Sequence, residues 1–457
     1  MVRKILIAAA LGLAAICFGE AGLAAQTGPW TGKLKVSGTE LALVFNLGEE
    51  SSTLDVPDQG AKDIPVKLTK DETGALTLDI PKINASFKGL WLGKIIAGTF
   101  TQHGMSFPLT LTPGKPVINR PQTPAGPFPY TTEEVTFSNG DAVLKGILTL
   151  PENCGETTPA LVMITGSGLQ NRDEEIFSHK PFAVIADAFA RAGIATLRYD
   201  DRGFGESSGD VVFCTTEDLK NDALAGVELL RKRFGRVGAL GHSEGGSIAL
   251  MLASGKKVDF VISLAGGITP MGGTLVAQNR RALLQAGCDT AEVDEYCRLL
   301  SDTFSALTAS APLPSLDSYD ISDGLKQNYR LALQQFQTPY MKYFVGLDIS
   351  KILPQVTCPV MGLNGTLDSQ VDCGSNLEAL REGLPSDPKT VIRAEEGLNH
   401  LFQHCKSGDV SEYKNIEETF SPAVLSEMAA WVNGLDVPDL LSVNRQPDSQ
   451  DNSRQSR

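Results

Sequence analysis

The sequence predicts two unlike folds in one chain: a small all-β module, then an α/β domain whose mostly parallel sheet is flanked by helices and interrupted by a helical cap. Three observations carry this. Residues 27–118 consist of short runs of alternating polar and apolar residues punctuated by Gly, Asn, Asp and Pro, the pattern of half-buried antiparallel strands joined by turns. Beyond residue 131 the apolar runs become continuous and alternate with amphipathic helical stretches, as strands covered on both faces and joined by crossover helices must. The 457 residues are also too many for one hydrophobic core.

The first 24 residues have the anatomy of a secretory signal peptide. Arg3 and Lys4 form a positive start, Ile5 to Phe18 an apolar centre, and Gly22 and Ala24 the small residues before a cleavage point. Glu20 interrupts the apolar run short of the roughly 20 residues a membrane-spanning helix needs. Bulky Ile16 before Cys17 argues against lipid attachment. The expectation is an exported protein, periplasmic or secreted, with no membrane span after cleavage.

In the all-β module, residues 33–36, 40–45 and 75–80 alternate most clearly, which suits a small barrel or sandwich. His103 stands alone and reads as a surface or turn residue rather than a ligand, and the module's partner is not legible. Residues 119–130, which continue a series of prolines from Pro113 to Pro129, cannot be helical and suit a stiff extended linker. A hairpin follows over residues 134–150, with a type I′ turn expected at Asn139-Gly140. Strands are then predicted at 160–164, 193–197, 237–240, 260–264 and 360–363, with helices at 182–192 and 216–233 between them. The alternation breaks between Pro270 and Pro359, where helical patterns such as 291–307 and 323–336 mark a cap of about residues 271–355 inside a catalytic domain of 131–441. The polar tail 442–457 is expected to be disordered.

Composition limits function. Lys and Arg number 40 against 54 Asp and Glu, a net charge of −14; so acidic a chain without a basic patch is a poor nucleic-acid binder. Seven cysteines remain beyond Cys17, an odd number in no metal-binding pattern, and spacing alone fixes no disulfides. Neither a cofactor nor a metal is implied.

The chemistry concentrates in Gly241-His242-Ser243-Glu244-Gly245-Gly246. G-x-S-x-G between a strand and a helix places the serine on a sharp turn, its Oγ exposed above the sheet. A serine needs a base and the base an orienting acid, which in this arrangement follow in the order Ser, acid, His. Only His400 and His404 follow Ser243. His400 sits in the loop after an apolar pair, Val391-Ile392, and is the better base; His404 reads as a surface residue or helper. Asp368, in the loop after strand 360–363, is the candidate acid, with Asp372 the alternative. The Gly-rich turn Thr165-Gly166-Ser167-Gly168 lacks the Walker lysine and the dinucleotide spacing. It suits instead one half of an oxyanion hole near Ser167, the other half being the backbone N–H of Glu244. The stretch Tyr199 to Ser207 reads as an Asp/Arg-braced structural loop. The run Asp173-Glu174-Glu175 would serve a peptidase by capturing an amine if it faced the pocket.

From about residue 133 to 435 the chain resembles the exported bacterial carboxylesterases of the α/β-hydrolase superfamily, related to the serine aminopeptidase and dienelactone hydrolase groups. The resemblance rests on residues 166–174, 201–207, 241–246 and 363–368 and on Asn399-His400. It implies the α/β-hydrolase fold, triad roles for Ser243, Asp368 and His400, and a small-molecule ester as substrate. Thr165 stands where many such enzymes have a histidine before the oxyanion glycine. The function expected is a serine carboxylic ester hydrolase for short-acyl esters. The alternatives are a peptidase on the same triad, or a surface-binding protein whose β module does the work.

Overall fold

A computed structural model describes residues 27–435 apart from 37–38, 58–60, 72, 103 and 116–118. The signal-like segment, His103 and the tail 442–457 lie outside the described residues. The chain divides into two compact units, Met1–Ile118 and Asn119–Arg457.

The first unit is a closed eight-stranded antiparallel barrel of β1 (Gly28–Val36), β2 (Thr39–Leu47), β3 (Ser52–Val56), β4 (Ala61–Lys70), β5 (Ala75–Ile80), β6 (Ala85–Trp91), β7 (Ile96–Gln102) and β8 (Met105–Pro113). Neighbours in sequence pair throughout, and β1 meets β8 at Trp30↔Pro113 and Thr31↔Thr112 to close it. Alternate residues point inward, so Trp30, Phe45, Leu54, Leu78, Phe87, Phe100 and Leu111 fill the interior. Gly32 has no side chain because a Cβ there would lie 2.7 Å from Leu109 and Leu111, at the barrel's closing seam.

The second unit is built on an eight-stranded sheet. Its strands are β9 (Thr131–Asn139), β10 (Ala142–Leu150), β11 (Ala160–Ile164), β12 (Ala195–Tyr199), β13 (Val237–His242), β14 (Val261–Leu264), β15 (Val360–Gly365) and β16 (Val391–Glu395). Their order is β16-β15-β14-β13-β11-β12-β10-β9. β9 and β10 are antiparallel additions and the other six run parallel. Alternation sorts the side chains. Leu161, Met163, Leu240 and Ile262 pack with Phe189 of α1 (Pro181–Arg191) and Met428 of α9 (Pro422–Gly434). Val162, Ile164, Ala239 and Val261 pack with Val227 of α2 (Thr216–Leu230), Leu252 of α3 (Glu244–Ser254) and Leu377 of α8 (Cys373–Gly383). Both faces are thus apolar, which is why these strands read as continuous hydrophobic runs. In the β9–β10 hairpin Asn139 pairs with Ala142, and only Gly140 of the two turn residues takes positive φ (57°). That is the pattern of a type II′ turn, not the expected type I′.

Between β14 and β15 the chain forms the cap: α4 (Met271–Gln285), α5 (Thr290–Thr308), α6 (Asp323–Phe336) and α7 (Pro339–Val345). Its own core includes Tyr296, Leu300, Phe304, Tyr329 and Phe336. Asp289, Ser322 and Thr338 cap the N-termini of α5, α6 and α7 through side-chain oxygens, which stops each helix where the sequence sets a polar residue.

Residues 119–130, expected to be a linker, belong to the second unit. The Arg120 guanidinium donates to the carbonyls of Phe177, Lys414 and Ile416, and Gln122 bonds the backbone of Thr419 and Phe420. Tyr130 OH donates to Asp187 at 2.8 Å. Proline keeps the segment extended, but its polar side chains are spent on the domain it leads into. All seven cysteines from Cys154 to Cys405 are free thiols. Among the described residues no helix is long and apolar enough to cross a membrane, and no His/Cys/Asp/Glu group has the arrangement of a metal site.

Candidate active site

The site forms where β11, β13, β15 and β16 end. Ser243 sits between β13 and α3 with φ 53° and ψ −120°, a region an L-residue enters only under constraint. The constraint is visible in the flanking glycines. A Cβ on Gly241 would fall 1.9 Å from Gly245 O, and one on Gly245 would fall 2.0 Å from Ile164 O. The turn therefore closes only with glycine at both places. Ser243 N–H donates to Leu264 O at 2.8 Å, pinning the turn to the neighbouring strand.

His400 Nδ1 lies 2.7 Å from Asp368 Oδ2, with the aspartate side chain fully buried. Asp368 Oδ1 accepts the amides of Gln370 and Val371 at 2.7 and 2.9 Å. The carboxylate is thus fixed by its own loop and has one oxygen left for the imidazole. The alternatives are placed elsewhere. Asp372 caps α8 through Ser375 N, and His404 is exposed and paired with Glu418.

Gly166 packs against Ser243; a Cβ there would be 3.2 Å from Ser243 Cβ. Its N–H donates to Glu174 Oε1 at 2.8 Å, which leaves Ser167 as the turn's candidate oxyanion donor. Thr165 is not idle either. Its hydroxyl lies 2.9 Å from both carboxyl oxygens of Asp201, which also accepts Gln170 N. Burial pushes Asp201 up to about 8. The loop read as structural therefore braces the oxyanion turn as well as itself, through Arg172 on Asp200 and Arg202 on Asp222.

Ser167, Ser243 and Glu244 line a cavity of about 410 Å³ whose other walls come mainly from the cap, including Met271, Leu275, Phe336, Tyr340 and Phe344. Glu244 is 3% exposed. Its carboxylate accepts the hydroxyls of Thr216 (2.7 Å) and Tyr340. Burial raises its pKa, against the hydrogen bonds of Tyr340, Thr216 and Ser167. Tyr340 and Phe344 stack at 5.7 Å and 17°.

Sequence reasoning missed a second buried pair. His242 Nδ1 is 2.9 Å from Glu174 Oε1, and His242 Nε2 is 2.9 Å from His400 O. Burial lowers the affinity of His242 for a proton, but the charge and hydrogen bond of Glu174 outweigh it and the pKa is raised. The only signal was position: His242 immediately precedes Ser243. The acidic run does not face the cavity as an amine trap. Asp173 pairs with Arg198 and Lys180, Glu174 with His242, and Glu175 with Lys180.

The family described as serine aminopeptidase, S33, matches residues 178–278, the stretch that holds Ser243. Esterase EstD of Thermotoga maritima is 32% identical over 320 residues, covering 67% of this chain and 70% of EstD. Among solved structures, the Pyrococcus furiosus esterase Pf2001 is 14% identical with a TM-score of 0.42, covering 70% of this chain and 98% of that one. Est1E of Butyrivibrio proteoclasticus, with ferulic acid bound, is 17% identical with a TM-score of 0.40, covering 65% and 99%. With such identity sustained over 70% of EstD, the chain belongs to the same family as Esterase EstD.

Proposed function

We propose that this α/β-hydrolase is an exported carboxylic ester hydrolase that cleaves short-acyl esters through an acyl-enzyme on Ser243. The observation that carries the reading is the combination of a constrained Ser243 at the cavity wall with a buried His400–Asp368 pair at 2.7 Å. Ser243 Oγ attacks the ester carbonyl while His400 Nε2 takes its proton, and Asp368 holds the imidazole in the tautomer this requires. The amides of Ser167 and Glu244 stabilise the tetrahedral oxyanion. His400 returns the proton to the leaving alkoxide, and water then hydrolyses the acyl-enzyme by the same route. A cavity of about 410 Å³ walled by Met271, Leu275, Phe336 and Phe344 favours short acyl chains over a palmitoyl tail.

The relative EstD is named an esterase, and no carboxylate of the run 173–175 is left to hold a peptide amine. Export rests on the signal-like pattern of residues 1–24, and N-terminal sequencing of the secreted chain tests it. The activity is tested by kcat/KM on acetyl, butyryl and palmitoyl esters beside leucine and proline anilides, with fluorophosphonate labelling mapped to Ser243. Acetyl or butyryl esters should lead. Preference for either anilide overturns the esterase reading, and absence of label at Ser243 overturns the mechanism.

A further inference from the structure

His242 and Glu174 sit beside the reacting groups, and the mechanism above uses neither. Three facts define what they do. Glu174 Oε1 accepts the Gly166 N–H at 2.8 Å and lies 2.9 Å from His242 Nδ1. The charge and hydrogen bond of Glu174, which raise the His242 pKa against burial, favour a proton on Nδ1. His242 Nε2 faces the carbonyl of His400 at 2.9 Å, and a carbonyl only accepts, so Nε2 carries a proton too. In that arrangement the ring is an imidazolium, less than a tenth exposed, beside a carboxyl group that is also buried. The charged or titratable groups that act on it are Glu174 from the loop after β11, Asp368 from the loop after β15 and His400 from the loop after β16. The His242 and His400 ring centroids are 4.6 Å apart.

We infer that His242 and Glu174 form a positioning pair that fixes the oxyanion turn and the catalytic histidine's loop in one rigid frame, with Ser243 between them. One end of the frame is the Gly166 amide, which sets how the Ser167 N–H faces the nucleophile. The other is the His400 carbonyl, which sets where the imidazole stands relative to Ser243 Oγ. The pair touches no substrate and lines no part of the cavity described above. Its effect therefore falls on the geometry of the chemical step and not on substrate binding. Misplacing reacting groups by about 1 Å costs on the order of 100-fold in rate. The inference rests on the proposed roles of Ser243 and His400.

The test is steady-state kinetics on a butyryl ester for His242→Asn and for the double variant Glu174→Gln/His242→Asn, with fluorophosphonate labelling rates and melting curves for each. Removing one member of a buried ion pair strands the other charge, so the single variant risks misfolding. The double variant is neutral and keeps polar atoms on both sides. The expected result is a folded double variant whose kcat falls at least 30-fold, whose KM stays within threefold, and whose Ser243 labels correspondingly slowly. In the wild-type protein, 15N spectra of histidine should show one imidazole still doubly protonated at pH 8.

A folded double variant with wild-type kcat and labelling rate overturns the inference. So does a loss confined to KM, or the absence of a doubly protonated ring. If neither variant folds, the pair is a structural brace alone and the positioning role is withdrawn. Wild-type protein that fails to label at Ser243 refutes the proposed mechanism instead, which keeps the two failures apart.

Discussion

Helix α7 presents two tyrosines to two glutamates in different surroundings, which makes a matched experiment. Tyr340 OH donates to Glu244, whose carboxylate is buried. Tyr343 OH donates at 3.2 Å to Glu217, a carboxylate 42% exposed that also pairs with Lys220. Changing each to Phe removes one hydroxyl and leaves the ring, so the Tyr340–Phe344 stack survives. A hydrogen bond to a buried charged group is worth about 1.5–3 kcal/mol, because the deserted carboxylate cannot reach water. Glu244 keeps the Thr216 hydroxyl, so Tyr340→Phe should destabilise by about 1.5 kcal/mol, the lower end of that range. Exposed Glu217 is resolvated when Tyr343 goes, so Tyr343→Phe should cost no more than about 0.5 kcal/mol. Urea denaturation of both variants beside the wild type, followed by far-UV circular dichroism, reads the difference as a shift in midpoint at constant slope. Equal shifts for the two variants, or a Tyr340→Phe shift no larger than the Tyr343→Phe one, would refute the reasoning that burial of Glu244 makes the bond count.

Ser243→Ala or His400→Ala should lower kcat by roughly 10⁴- to 10⁶-fold without loss of folding, since triad members act as a unit. Asp368→Asn should be severe through the wrong histidine tautomer, whereas Asp372→Ala should cost about 1 kcal/mol of helix capping and little rate; the reverse pattern would reassign the acid. His179 is buried between Thr419 Oγ1 and Tyr413 O, and burial pulls its pKa down to about 4. Between that value and its ordinary 6.5 the unfolded chain binds the extra proton, so His179 stabilises fully above pH 6.5 and loses this as the pH falls toward 4; His179→Gln should flatten that part of a stability–pH curve. A truncated chain starting at Asn119 should fold and hydrolyse a small ester. One starting at Pro129 lacks the bonds of Arg120 and Gln122 and should be less stable by at least about 2 kcal/mol in urea.

The parallel strands and the elbow were legible because each is a local pattern: an apolar run bounded by turn residues, and glycines packed around a serine. That Asp368 and His400 would meet, as they do at 2.7 Å, was legible from their loops and their order in the chain. The closed barrel was not separable from a sandwich, because alternation marks an inward face without saying whether β1 returns to β8. The segment 119–130 read as a connector since proline is a local signal, while Arg120 bonds Phe177, 57 residues away, and it and Gln122 bond partners almost 300 residues away. Distance hid the Glu174–His242 pair as well, 68 residues apart and joined only by the meeting of two loops. Asp201 beneath Thr165 was hidden in the same way.

The cap occupies the connection between two strands that are hydrogen-bonded neighbours, β14 and β15. Everything before it in the second unit includes Ser243 and the oxyanion turn; everything after it includes Asp368 and His400. The stretch between α5 and α6 runs through exposed residues at 310–312, the kind of loop that tolerates a break in the backbone. A chain opened there yields one fragment that holds the proposed nucleophile without its base and another that holds the proposed base without its nucleophile. Neither has turnover alone. Reassociation along the β14–β15 ladder would restore both, so that ester cleavage would report directly on the joining of two polypeptides.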